Sequence, residues 1–101
     1  MDNTNLIVMT EVKTIPERQA AVWEAMAEIA QAARSYPGCI EYHILQSEKD
    51  PAVTINYERW ASEAEHDAFM KSPDVAKFVE AIDISNSFIG NPGPVSYKVM
   101  A

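Results

Sequence analysis

One short segment of the chain carries three different chemistries on a single side. In Val53-Thr-Ile-Asn-Tyr-Glu-Arg-Trp60, strand alternation puts Thr54, Asn56, Glu58 and Trp60 on one face and Val53, Ile55 and Tyr57 on the other. An amide, a carboxylate and an indole on a covered face must find partners. His66 follows six residues after Trp60. Together they could build a pocket in which Trp60 is an apolar wall, Asn56 orients a polar group, and His66 accepts a proton near neutral pH. The plainer alternative pairs Glu58 with Arg34, Arg59 or Lys71 and makes Trp60 ordinary core. Around His66, helical spacing sets Glu63 beside Asp67 and Glu65 beside Phe69; a neighbouring carboxylate would raise the pKa of the imidazole, although these acids also suit a solvated helix face.

Other constellations carry less. Cys39, Glu41 and His43 alternate along another strand-like run and offer half of a metal site that a second copy could complete, but nothing fixes a further ligand, and a small buried thiol is the commoner case. No metal is expected. Gly38, Gly90 and Gly93 are too few and too badly spaced for a dinucleotide fingerprint or a phosphate loop, and no Gly-x-Ser-x-Gly elbow occurs.

The elements that must position these residues can be read from periodicity. Leu6 to Lys13 reads as a short central strand. Thr14-Ile-Pro-Glu17 has capping-box spacing and opens a long helix whose stripe is Val22, Met26, Ile29, Ala30 and Ala33, ended by Tyr36-Pro37-Gly38. Cys39 to Gln46 and Val53 to Trp60 form a hairpin. Ser62-Glu-Ala-Glu65 and Ser72-Pro73 start two consecutive helical pieces, 62 to 71 and 73 to 83, buried through Ala64, Ala68, Phe69, Val75, Phe78, Val79 and Ile82. A loop marked by Asn86, Gly90, Asn91, Pro92 and Pro94 leads to a last strand, Val95 to Met100. The order β-α-β-β-α-β is that of an α+β, ferredoxin-like split βαβ fold, a four-stranded antiparallel sheet with helices on one face. Its other face carries apolar residues too, so a homodimer packed sheet on sheet is expected.

Length and charge bound the rest. The chain has 101 residues, 48% of them hydrophobic, with 15 acidic and 8 basic side chains and a formal net charge of -7. That suits one domain over 1–101 and opposes a nucleic-acid groove or an anionic membrane surface. The longest apolar runs have four residues, far below the roughly 20 that span a bilayer. A non-basic start and a lone Cys39 make the cytoplasm the expected compartment.

Tyr36-Pro-Gly-Cys-Ile-Glu-Tyr42, Tyr57-Glu-Arg-Trp-Ala-Ser-Glu-Ala64 and Ser72-Pro73 together resemble the antibiotic biosynthesis monooxygenase (ABM) domain family, over essentially the whole chain. The resemblance implies a dimeric α+β barrel with one cavity per subunit, and relatives that include cofactor-independent oxygenases of phenolic or hydroquinone rings, quinol monooxygenases, haem-degrading enzymes and a phosphosugar isomerase. Asn56 and Trp60 match a site pair of the polyketide oxygenases, and His66 falls where some of them carry Tyr. Many members carry a His nine residues after the Trp and another after Ser-Pro; here those positions are Phe69 and Asp74, which weakens a haem role. The expected activity is therefore a cofactor-free monooxygenase joining dioxygen to a small, neutral aromatic substrate at Asn56, Trp60 and His66. A binding protein without turnover and an isomerase are the alternatives.

Overall fold

The computed structural model describes residues 5–101. Its elements are β1 (Leu6–Lys13), α1 (Gln19–Ala33), β2 (Cys39–Gln46), β3 (Val53–Trp60), α2 (Glu63–Met70), α3 (Pro73–Ile82), α4 (Ile84–Ser87) and β4 (Pro94–Lys98). The sheet order is β2-β3-β1-β4 with every pair antiparallel. This is the ferredoxin-like α+β arrangement, with β1 and β3 in the interior of the sheet.

Register turns the strand patterns into two surfaces. Leu6, Val8, Thr10 and Val12 of β1 lie opposite Trp60, Glu58, Asn56 and Thr54 of β3, so these eight residues share the inner face beneath the helices. Tyr42 and Ile44 of β2 extend that face across the hairpin. The α1 stripe closes over it: Val22, Met26, Ile29, Ala30 and Ala33 are all buried, as their three-and-four spacing requires. One core cluster joins α1 to Tyr42, Trp60, Phe69 and Val75, and a second joins it to Val12 and Ile82.

Both short helices begin as their sequence dictates. Ser62 Oγ accepts the Glu65 N–H (3.2 Å) and Ser72 Oγ that of Val75 (3.3 Å), each cap contributing about 1 kcal/mol. Thr14, by contrast, caps nothing. Pro16 holds Ile15 extended (φ -65°, ψ 147°), because a residue before proline is steered from the helical region. The chain therefore stays strand-like past Thr14, which bridges to Phe88, and only after a 3-10 turn at Pro16–Arg18 does α1 start.

Further departures from expectation are local. Within α2 and α3, Phe69, Val75 and Ile82 are buried and Phe78 partly so, but Ala64 and Ala68 are exposed and Val79 is half exposed. The segment after α3 is not all loop: Asp83 takes a left-handed conformation (φ 46°), accepts two hydrogen bonds from Asn86 Nδ2 at 3.1 Å, and restarts the chain as α4. The last strand ends at Lys98, not Met100. A bulge between Cys39 and Glu41 breaks the alternation there, so Cys39 packs with the inner core while Glu41 and His43 pair with Arg59 and Tyr57 on the outer face. The half-site offered by those three residues is thus split.

Gly38 is where backbone geometry leaves no substitute. It is left-handed (φ 84°), its carbonyl accepts the Ala61 N–H at 2.8 Å, and a Cβ would run into the Glu65 carboxylate. The carboxylate can swing away, whereas the left-handed backbone costs an L-residue about 1–2 kcal/mol. Gly38→Ala is expected to lower the melting temperature by about 5–10 °C in a circular-dichroism melt; an unchanged melt would show that this turn tolerates a side chain.

Candidate functional site

Between the inner sheet face and the helices lies a cavity of about 210 Å³. An apolar cavity of about 150 Å³ accepts benzene, so this one suits one or two fused rings. Val8, Met26 and Ile29 line it beside Phe69 and Phe78, and the half-exposed Met70, Val79 and Ile84 mark where it meets the surface. The polar residues on its wall are Thr10, Tyr42, Asn56, Glu58 and His66, with no Lys or Arg among the lining residues.

Asn56 and Glu58 reach the cavity because β3 alternates, and both are only 6% exposed. Asn56 Nδ2 donates to the Tyr42 hydroxyl at 3.3 Å, which fixes the amide and leaves Oδ1 buried with no partner. Tyr42 stays protonated, since burial first and the Glu58 charge second push its phenol far up. Arg34, a candidate partner for Glu58, instead grips the backbone carbonyl of Tyr42 through Nε (3.1 Å) and Nη2 (2.8 Å). Arg59 turns to Asn5 (3.0 Å), as its odd position in β3 requires. Among the described residues, no Lys or Arg lies within ion-pair distance of Glu58.

Glu58 is held by the indole. Trp60 Nε1 donates to Glu58 Oε1 at 3.0 Å, and His66 Nε2 lies 3.7 Å from the same oxygen, too far for a hydrogen bond. Burial pushes the carboxyl up to about 7, and the indole bond only partly offsets it. Sequence reasoning gave Glu58 no more than an ion pair; its even position in β3 was the signal that it faces inward, and what spacing could not show is that Arg34 and Arg59 are engaged elsewhere.

His66 stands on the first turns of α2, capped by Ser62, with its ring edge-on to Trp60 at a centroid distance of 5.8 Å. The expected rise in its pKa is reversed: burial lowers it, and Asp67 and Glu63, both on the outer side of α2, offset this only in part. The imidazole is therefore neutral near pH 7. Asp67 Oδ1 lies 3.9 Å from Nδ1 and favours the proton there, which leaves Nε2 as a bare, buried acceptor without a protein partner.

Trp60 is placed differently from Asn56 and His66. It is fully buried and lies outside the cavity lining, its ring tilted 32° against Phe69 at a centroid distance of 4.9 Å, so it supports Glu58 and His66 from behind while Phe69 and Phe78 supply the aromatic wall. Phe69 is also the hub for Tyr36 (5.0 Å) and Tyr42 (6.1 Å). At that position it offers no ligating atom to a haem iron.

Comparison with known proteins agrees with this architecture. Solved structures that superpose on it include a candidate antibiotic biosynthesis monooxygenase from Nitrosomonas europaea (16% identity, TM-score 0.88, covering 99% of this chain and 94% of that one). Another is a candidate antibiotic biosynthesis monooxygenase from Deinococcus radiodurans (20%, 0.85, 95% and 93%). A third bears the same family name without an organism (21%, 0.85, 95% and 99%). At these identities the likeness shows the fold. No curated protein matches the chain. The family model described as "Antibiotic biosynthesis monooxygenase" matches residues 5–81, the stretch that runs from β1 through the polar row of β3 and His66 to the end of α3, and the chain belongs to that family.

Proposed function

We propose that this protein is a cofactor-independent monooxygenase that oxidises a neutral phenolic or quinol ring with dioxygen inside the cavity between sheet and helices. Family membership suggests monooxygenase-like chemistry. The observation that carries the finer reading is a pair of buried polar atoms without protein partners, Asn56 Oδ1 and His66 Nε2, on residues lining a mainly apolar cavity. Such atoms cost roughly 1–3 kcal/mol each when left unpaired, and a ligand with ring hydroxyls would satisfy them. A cavity wall without Lys or Arg favours a neutral ring over a phosphorylated substrate.

In this reading a ring hydroxyl donates to Asn56 Oδ1, and His66 Nε2 removes a hydroxyl proton. The resulting ring anion gives an electron to dioxygen, and the two radicals join as a carbon–oxygen bond at an open ring carbon, para to that oxygen in a phenol and ortho to it in a quinol. Loss of that carbon's proton and cleavage of the O–O bond leave a quinone and release the second oxygen atom as water. All four electrons come from the ring, so no external reductant enters the balance. The protein supplies orientation, a base and a dry space. Trp60 acts as a positioning residue. In this reading the protein works in a reducing cytoplasm, which its free Cys39 suits.

A second copy of the chain covers the outer sheet face in this proposal. Leu45, Val95 and Tyr97 there are about half exposed, and Ile7, Met9, Ile55 and Tyr57 lie on the same side by register. Light scattering at micromolar concentration is expected to give twice the chain mass; a monomer would refute the covered face.

Oxygen uptake by the purified protein with a panel of hydroquinones and anthrone-like phenols tests the reaction; tight binding with no uptake above background would make it a binder and end the oxygenase reading. Asn56→Ala should slow uptake about tenfold or more. Turnover is expected to fall as pH drops through the His66 pKa, which lies below its ordinary 6.5, because the protonated ring cannot accept. If His66→Ala keeps the same acid limb, His66 is not the base.

A further inference from the structure

The reaction proposed above takes two protons from the substrate, one from oxygen and one from carbon, and must deliver two to the oxygen atom that leaves as water. His66 accounts for taking a proton. The site needs a group that gives one. Of the residues lining the cavity, Tyr42, Glu58 and His66 are the ones that titrate. Tyr42 holds its proton too tightly to release it.

Resting on that reading, we propose that Glu58 is the acid of the site: its carboxyl carries a proton on Oε2, Trp60 fixes Oε1, and the proton passes to the departing peroxide oxygen. Geometry decides which oxygen is which. Trp60 Nε1–H donates to Oε1 at 3.0 Å, so Oε1 behaves as the carbonyl oxygen and the proton is left to Oε2, which has no hydrogen-bond partner among the described residues. Glu58 lines the cavity while Trp60 stands behind it, so an acid is presented to the ligand on a rigid aromatic support.

The surroundings keep the proton in place. Val8 from β1 brings no charge; Tyr42 and Cys39 from β2 are neutral acids raised by burial; and from α2 the neutral His66 faces Glu58, with Asp67 and Glu63 behind it. Arg34 is spent on the Tyr42 carbonyl and Arg59 on Asn5, and among the described residues no Lys or Arg lies within ion-pair distance of Glu58. Burial then orders the two groups opposite to their ordinary values, the carboxyl near 7 and the imidazole below 6.5. Pushing an acid and a base apart in this way is how two titratable groups divide the two roles.

The proton lost from the ring carbon first neutralises the outer peroxide oxygen; when the O–O bond then breaks, the Oε2–H bond breaks with it, and these two protons complete the water. Glu58 is left as a carboxylate and His66 as an imidazolium, and once the product has left Glu58 takes a proton from solvent while His66 gives one up, which restores both groups for the next turnover. No further reactant is needed.

Two measurements decide this. The indole N–H resonance of Trp60 in heteronuclear NMR, assigned with a Trp23→Phe protein, reports the charge on Glu58 through its hydrogen bond. In the parent chain it should titrate with a midpoint near 7 and lose that titration in Glu58→Gln, whose amide oxygen still accepts from the indole. A midpoint below about 6 means the carboxyl is ionised at neutral pH and overturns the proposal. In oxygen uptake, Glu58→Gln should bind a redox-inert ring analogue within twofold of the parent while turnover falls about 100-fold, with Glu58→Asp recovering part of it and the parent losing activity as pH rises through the Glu58 pKa. Equal turnover in Glu58→Gln also overturns it. If the parent consumes no oxygen with any phenol, the oxygenase reading and the donor role fall together, and the indole titration alone then shows whether Glu58 still holds its proton.

Discussion

The hydrogen bond from Trp60 Nε1 to Glu58 Oε1 is the contact on which the interior depends. It joins the largest fully buried side chain to a carboxyl that has no cation to meet it. Without the carboxyl the indole N–H would be unsatisfied in the core, and without the indole the carboxyl would lose its one direct partner. Both sit on β3, two residues apart, so a single strand carries donor and acceptor on the same face. The tilted ring contact of Trp60 with Phe69 and the edge contact with His66 then tie α2 to that strand.

Helix geometry follows from the same face. Ser62 and Ser72 start α2 and α3 where their caps demand, and Pro37-Gly38 returns the chain from α1 so that Glu65 and Ala61 close against it. The result covers the inner face incompletely. Bulky aromatics fill the end near Trp60, whereas smaller and more flexible side chains leave room farther along β3, beside Asn56. Cavity and core are two parts of one layer, packed to different extents.

Much of this was legible in the chain itself, because periodicity reports which residues are covered. The strand order of types, the α1 stripe, the two serine caps and the inward row Asn56-Glu58-Trp60 all follow from spacing. What spacing could not give depends on three dimensions. The roles of Trp60 and Phe69 are set by which aromatic reaches the cavity first. That Glu58 meets neither arginine is set by where Arg34 and Arg59 are used, and the sense of the His66 shift by burial, which outweighs two visible carboxylates. Thr14 and the Cys39 bulge were misjudged for a simpler reason: proline and a register shift override a local pattern that would otherwise hold.

Because β3 is interior and its two faces carry different side chains, a polar row with Trp60 inward and Val53, Ile55 and Tyr57 outward, its register has an evolutionary consequence. A one-residue insertion or deletion within it would send Ile55, Tyr57 and Arg59 inward and carry Asn56, Glu58 and Trp60 to the opposite surface, losing pocket and core at once. Descendants of this chain can therefore change ligand only by point replacement on β3 or by reshaping the helical rim. Met70, Val79 and Ile84, half exposed and adjustable, are the positions where new specificities can be explored at little cost to folding.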